Sequence, residues 1–400
     1  DGDLDLYVVS GGYEFEVEAA ELADRLYLND GRGGFSLAAG GVLPEARESG
    51  GCACASDYDG DGDLDLFVGG RQVPGRYPEI PRSRLLRNDS SASAVKFTDQ
   101  TESDASGLSA VGLATAALWS DFDGDGDADL IVACEWGPVA LFRNDGGKLV
   151  GATDEVGLAH RSGWWRGLAA ADFDGDGDMD LAAGNFGLNS KYHPRPEAPV
   201  SIYYADFDGG GTAQIVEAAI KGGRLLPIRG KSCSQAAIPS LRDKFPTFHQ
   251  FASSALQEIY TEQKLGMALK LEADELRSGL FLNQGDGRFE FEPFPALVQV
   301  APCSDLVVFD ADGDGGSDLF LVQNFFGPQR ESGRMDGGLG VLLLGDGEGG
   351  FEPVWPDRSG LIIPGDARSA SALDLDQDGR LDLIVGENDA PLRAFRRLGR

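Results

Sequence analysis

The chain has 400 residues, with 66 acidic against 34 basic side chains and a formal net charge of −32. That charge excludes nucleic acid and anionic membrane as partners of the surface as a whole, since both would be repelled. A hydrophobic share of 42% with five tryptophans excludes a disordered acidic tail, and there is no run of 18 apolar residues with which this segment could insert in a membrane.

In chain order, the first element is the tail of an acidic motif, residues 1–6, holding Asp1 and Asp5. The motif recurs complete further on, so the natural N-terminus is expected to lie upstream, and a signal peptide is expected to have been lost with it. A hairpin follows at 26–29 and 34–37. Residues 51–56 then read as a strand that places Cys52 and Cys54 on one face. With Cys134, Cys233 and Cys303 they make five cysteines with no zinc spacing, read as small buried hydrophobes.

The complete motif is Asp-x-Asp-x-Asp-Gly-x-x-Asp-Leu, whose nine-residue core stands at 57–65, 121–129, 172–180, 310–318 and 374–382. A decayed copy starts at Asp206 and Asp208 but carries Gly210 and Gln214 where acids belong. Each copy is preceded by a small-residue run such as Leu113–Ser120 and followed by an apolar run of strand length and a hairpin. The Asn144-Asp145-Gly146 turn between apolar runs is a strong hairpin signal. Four short antiparallel strands per 50–65 residues describe a propeller blade. The expected fold is all-β, a single seven-bladed β-propeller over 1–400, truncated at both ends. Six or eight blades also fit, and a parallel β-helix is the second reading. Spacings of 34 and 104 residues flank Asp206 and hold two blades plus an insertion near 230–265. In that insertion, Thr247 and Gln250 form a capping-box pattern. Phe248, Phe251, Ala252, Ala255, Leu256, Ile259 and Tyr260 follow at the spacing of one amphipathic helix.

Oxygen ligands at alternating positions, with glycine at position six, describe a calcium loop. The ligand candidates are Asp57, Asp59, Asp61, Asp63 and Asp65; Asp121, Asp123, Asp125, Asp127 and Asp129; and Asp172, Asp174, Asp176, Asp178 and Asp180. The later copies add Asp310, Asp312, Asp314 and Asp318, then Asp374, Asp376, Asp378 and Asp382, and the truncated copy adds Asp1 and Asp5. An EF-hand needs an acid at position twelve, where these copies hold Val68, Val132, Ala183, Leu321 and Val385. Unneutralised, so many carboxylates would oppose closure of the loop. Ca²⁺ is therefore expected to stabilise the fold by binding it and not the open chain. The weak affinity of such modules suits an outside compartment, so a secreted, periplasmic or cell-surface location is expected.

These loops, with Leu26-Tyr27-Leu28-Asn29 and the turn from Asp30 to Phe35, resemble the FG-GAP/VCBS repeats of the integrin α-subunit propeller and of bacterial surface proteins. Residues Gly163-Trp164-Trp165, the run from Gly184 to Ser190, and that from Gly340 to Gly347 resemble the bacterial relatives of cartilage acidic protein more narrowly. The resemblance implies a seven-bladed propeller, calcium in the loops, and export. Gly316 and Arg380 depart from it at position seven, and the copy at Asp206 is expected to hold no calcium.

If the acidic loops share one face, the connections between second and third strands lie on the other. These segments collect bases and aromatics: Arg71, Arg76, Trp164, Trp165, Arg166, Tyr192, His193, Arg195, Arg330 and Arg334. They form the candidate ligand face for an acidic glycan or a protein. A binding or adhesion module is the first functional reading. A calcium-assisted polysaccharide lyase using Tyr192, His193 and Arg195 is the second, and an architectural spacer the third.

Overall fold

The computed structural model describes residues 2–91, 93–285, 287–328 and 332–397. Asp1 and Arg330 of the expected sites lie outside the described residues. The second strands of the sheets, such as residues 65–72, 129–137 and 318–323, are buried at nearly every position, as sheets covered on both faces by neighbours require. Among the described residues the strands form seven antiparallel sheets.

The first sheet holds β1 (Leu6–Val8), β2 (Arg25–Asn29) and β3 (Phe35–Leu37), and the second β4 (Ser49–Ser56), β5 (Asp65–Gln72), β6 (Arg84–Asn88) and β7 (Phe97–Asp99). The third runs through β8 (Leu113–Ser120), β9 (Asp129–Gly137), β10 (Val139–Asn144) and β11 (Leu149–Gly151), with the short β12 (Gly163–Trp164) paired to the far end of β9. The fourth begins with β13 (Leu168–Ala171) and β14 (Asp180–Ala183) and is then interrupted. A complete sheet of β15 (Val200–Ala205), β16 (Gln214–Lys221), β17 (Arg224–Pro227) and β18 (Leu269–Ala273) intervenes before β19 (Gly279–Asn283) and β20 (Phe289–Pro293) close the fourth. The last two sheets are β21 (Cys303–Phe309), β22 (Asp318–Gln323), β23 (Val341–Gly345) and β24 (Phe351–Val354), then β25 (Ala367–Leu373), β26 (Asp382–Glu387) and β27 (Arg393–Phe395).

The interruption explains the 34- and 104-residue spacings around Asp206. The decayed copy does not follow the fourth sheet; it joins β15 to β16 inside an insertion between that sheet's second and third strands.

The other six sheets pack on one another in chain order through shared apolar clusters. Tyr58, Phe67 and Leu85 of the second meet Leu130, Val132 and Phe142 of the third. Ile131 and Leu141 of the third meet Leu181 and Phe281 of the fourth. Leu280 meets Leu319 and Leu343, and Phe320 meets Leu383 and Val385. The first strands β4, β8, β13, β21 and β25 touch in that order. Four of the five carry a bulge near their start, between Gly50 and Cys52, Ala114 and Ala116, Cys303 and Asp305, and Ala367 and Ser369. Bulges re-aim the side chains that they displace.

The insertion departs from a single helix. It holds Lys231–Ala237, Leu241–Lys244, Phe248–Ser253, Leu256–Tyr260 and Glu262–Met267 as separate short helices. The capping box forms as expected, with Gln250 N donating to Thr247 Oγ1 at 3.2 Å. The helix stops at Ser253, because the hydroxyls of Ser253 and Ser254 donate to the carbonyls of His249 and Gln250 at 2.7 and 2.8 Å. Local hydroxyl bonds of this kind compete with helical backbone bonds. Phe251, Leu256, Ile259 and Tyr260 are buried against the inserted sheet, whereas Phe248 is exposed. No helix among the described residues is long and apolar enough to cross a membrane.

Candidate metal centres and the opposite face

Each acidic loop is shaped by its first carboxylate. Asp121 accepts backbone N–H bonds from Gly124 and Asp125 on one oxygen, at 2.8 and 3.1 Å, and from Gly126 on the other at 2.9 Å. Asp57, Asp172, Asp310 and Asp374 likewise accept from the sixth residue of their loops on one oxygen and from the fourth or the fifth on the other. The curl needs a left-handed backbone at positions four and six. Gly124 has φ 74° and Gly126 φ 98°. Position four, which the sequence motif leaves unspecified, is glycine in four of the five complete copies, but Gln377 (φ 61°) occupies it in the fifth.

The ninth carboxylate fastens loop to sheet. Asp129 Oδ2 accepts from Phe122 N at 2.9 Å and Oδ1 from Asn144 N, at the end of β10, at 2.8 Å. Asp65, Asp180, Asp318 and Asp382 repeat both bonds, and Asp5 accepts from Asn29 N at 2.8 Å. Burial first of all pushes Asp65 up to about 7 and Asp129 and Asp180 up to about 6, against the pull of these backbone bonds.

Carboxylates at positions one, three and nine converge in four loops: Asp121, Asp123 and Asp129; Asp172, Asp174 and Asp180; Asp310, Asp312 and Asp318; Asp374, Asp376 and Asp382. In the copy at 57–65 it is Asp57, Asp59 and Asp61, and in every group the ligand atoms lie within 4.8 Å of one another. The Oδ1 atoms of Asp59 and Asp63 are buried without a hydrogen-bond partner among the described residues. A buried carboxylate oxygen with no donor is what a cation ligand looks like in protein atoms alone. At position five, Asp61, Asp125, Asp176, Asp314 and Asp378 all accept the amide two residues on, at 2.7–3.2 Å. Of the position-seven acids outside the first complete copy, Asp127 accepts from Gly146 N of the next hairpin turn at 3.2 Å, and Asp178 lies beside Gly285 of the following one. The last loop also draws in cations, since Arg380 and Arg396 pair with Asp378 and Asp376.

In the decayed copy the backbone is the same and the closure is different. Asp206 accepts from the amides of Gly209, Gly210 and Gly211, and Gln214 Oε1 accepts from Phe207 N at 2.7 Å, as a ninth carboxylate would. The Gln214 amide then donates to Asp208 Oδ1 at 3.2 Å and to Thr212 O at 2.7 Å. Two N–H donors thus satisfy the oxygens that would otherwise need a cation.

The loops also sit at the seams between sheets. Tyr58 and Phe122, at position two of their loops, pack into the following sheet, Tyr58 stacking on Trp119 and Phe122 meeting Phe289 edge-on. Asn144 Nδ2 donates back to Tyr58 O at 2.8 Å, and Asn283 Nδ2 to Phe122 O at 3.0 Å. Asn144 opens a turn signal, which marks the turn in the sequence and gives no sign of the cross-sheet bond.

The expected ligand face is partly dissolved. Trp165 is fully buried against Phe281 and Phe291, and Trp164 packs on Trp136, Phe186 and Tyr192. Tyr192 is buried with its hydroxyl 3.3 Å from Glu217, while His193 and Arg195 are exposed, so the residues that a lyase would need do not converge. Arg76 pairs with Glu79 and Arg334 with Asp336, both exposed. Two members remain together, Arg71 and Arg166, and Arg368 joins them although no sequence signal singles it out. Arg166 and Arg368 hold their guanidinium carbons 5.2 and 5.0 Å from the centroid of the same Phe325 ring. Arg71 pairs with half-buried Glu135, which also accepts from the Tyr77 hydroxyl at 3.2 Å. Burial raises Glu135, but Arg71 and Arg166 outweigh it and hold it below the usual carboxylate range.

A family model for the FG-GAP-like repeat matches residues 1–68 and 121–183, so FG-GAP-like repeats are present in the chain. The match reaches the repeat and not the narrower cartilage acidic protein group. No curated protein matches the chain. Among solved structures, the rhamnogalacturonan lyase of Bacillus licheniformis is similar over 91% of this chain at 11% identity and a TM-score of 0.30, and the chain spans 63% of that protein's length. The biofilm matrix protein Bap1 of V. cholerae is similar over 99% of this chain and 87% of its own, at 10% identity and a TM-score of 0.30. Likenesses of that degree carry no activity across.

Proposed function

We propose that the chain is a calcium-stabilised β-propeller module that works outside the cell and binds a ligand on the face opposite its calcium loops. The six sheets that pack in chain order are its blades, and the inserted sheet stands outside that order. The observation that carries the reading is the repeated loop: five groups of converging carboxylates, each fastened to its sheet by a buried ninth acid. Each site would hold Ca²⁺ through positions one, three and five or nine, and the ion would supply charge neutralisation at a seam between blades. Sites this exposed, with affinities of roughly 10⁻⁴–10⁻³ M, suit extracellular calcium.

Thermal unfolding in excess EDTA, in millimolar calcium and in millimolar magnesium tests this. At calcium about ten times Kd each occupied loop contributes about 1.4 kcal/mol, so a large rise in Tm with calcium and little with magnesium is expected. An unchanged Tm would contradict the reading.

A further inference from the structure

We infer that the guanidinium cluster of Arg71, Arg166 and Arg368 around Phe325 is the carboxylate-binding subsite for a uronic-acid residue of a polysaccharide. The inference rests on the proposal that this face binds a ligand.

Three chain segments far apart in sequence converge here. Arg71 is next to last in β5, Arg166 precedes β13, and Arg368 follows the first residue of β25, beside its bulge. Nη1 of Arg71 and Nε of Arg166 and of Arg368 are buried with no hydrogen-bond partner among the described residues. Buried donors of this kind are costly unless an acceptor meets them. Among the described residues the guanidinium of Arg166 has no ion pair, and it rests on the Phe325 ring. Its charge is disfavoured first by burial and then, against the pull of Glu135, by Arg71 and Arg368. Two carboxylates, Glu135 and Asp366, face three guanidiniums, through Arg71 and Arg368. Among the described residues the cluster therefore keeps one positive charge uncompensated, and a carboxylate matches the planar guanidinium fork.

The neighbouring groove identifies the rest of the ligand. Tyr77, which bonds Glu135, also lines a groove of about 770 Å³ between the inserted sheet and the first two sheets. Its walls present Tyr13, Tyr204, Gln72 and Thr212, which offer rings, an amide and a hydroxyl. Such walls suit the faces and hydroxyls of neutral sugars. Two charged residues also line it: Arg229, already bonded to Glu217 at 2.9 Å, and Asp208, which would repel a second acid. A ligand with one carboxylate among neutral sugars fits better than an acidic peptide with charge at every step.

The test uses an aldotetraouronic acid, three xyloses bearing one glucuronic acid, titrated into ¹⁵N-labelled protein in calcium. Neutral xylotetraose and tetraglutamate are run beside it. The expected result is saturable binding of the acidic oligosaccharide, with shifts of the arginine Nε–H signals of Arg166 and Arg368. Xylotetraose is expected to bind at least tenfold more weakly. Arg166→Gln and Arg368→Gln should each weaken binding tenfold or more, the first without lowering Tm because Arg166 has no ion pair among the described residues, while Arg334→Gln should not weaken it. If either variant fails to fold, Arg166→Lys and the Nε–H shifts of the unaltered protein decide. Binding that survives both variants would overturn the subsite and leave the binding-module reading standing. Preference for tetraglutamate, or no binding of the acidic oligosaccharide, would overturn the uronate assignment, while calcium-dependent melting would separately report on the module itself.

Discussion

The loops at 121–129 and 206–214 share a backbone and differ in what closes them. In both, the first aspartate gathers the amides of positions four to six, and a side-chain oxygen at position nine accepts the amide of position two. In the first, Asp121, Asp123 and Asp129 bring three carboxylates within 4.8 Å. In the second, Gln214 turns its amide donors onto Asp208 and Thr212. The fold of the loop is therefore encoded by backbone bonds and glycines, and the capacity to hold a cation is a separate property, tied to whether position nine brings a charge or a donor.

The largest expected effect comes from removing the ninth side chain altogether. Asp129→Ala leaves the buried amides of Phe122 and Asn144 without acceptors and should cost about 2–4 kcal/mol, read by urea unfolding in EDTA. If calcium-free stability is unchanged, the staple between loop and sheet is not structural.

Exchanging the two closures sharpens the contrast. Asp129→Gln should convert its loop to the metal-free kind, lowering calcium stoichiometry by one and the calcium-dependent stabilisation by about 1.4 kcal/mol at ten times Kd. Gly210→Asp with Gln214→Asp should add one ion. Unchanged stoichiometry in both, by calorimetric titration, would break the comparison.

The pH dependence follows from the ninth carboxyls. Burial raises Asp65 to about 7 and Asp129 and Asp180 to about 6 in the metal-free fold. Protonation is thus favoured by folding, so their contribution is full below the ordinary aspartate range and is lost as pH rises through 6–7. Tm in EDTA should fall between pH 5 and pH 8, and calcium, which takes the ionised form, should flatten or reverse that fall. The same slope with and without calcium would remove these carboxyls from the metal sites.

The smallest effect is at Gln377, the one non-glycine with left-handed φ at position four. Gln377→Gly should relieve strain and stabilise by about 0.5–1 kcal/mol after allowing for the looser unfolded chain. A destabilisation of that size would show that the loop tolerates the side chain without strain.

The acidic loops and the hairpins after them were legible in the sequence because both rest on local chemistry, a fixed ligand spacing and a turn signal. The inserted sheet was not, because a strand can leave its sheet after Ala183 and rejoin it at Gly279 without any local mark. Trp164 and Trp165 looked like surface residues because they stand beside arginines in a connecting segment, but the sheets on either side bury them. Arg368 was invisible for the converse reason: it stands in the ordinary small-residue run before a loop, and only the bulge and the packing on Phe325 bring it to Arg166. The helical spacing of 248–260 places Phe248 and Ala252 with the buried side, but both are exposed and two serines divide the segment, a competition that periodicity does not register.

The most direct test is a crystal structure grown in calcium, with anomalous scattering used to place the ions. The account predicts anomalous peaks in the loops at 57–65, 121–129, 172–180, 310–318 and 374–382, and none at 206–214. A peak at 206–214, or no peak in the five complete loops, would contradict it.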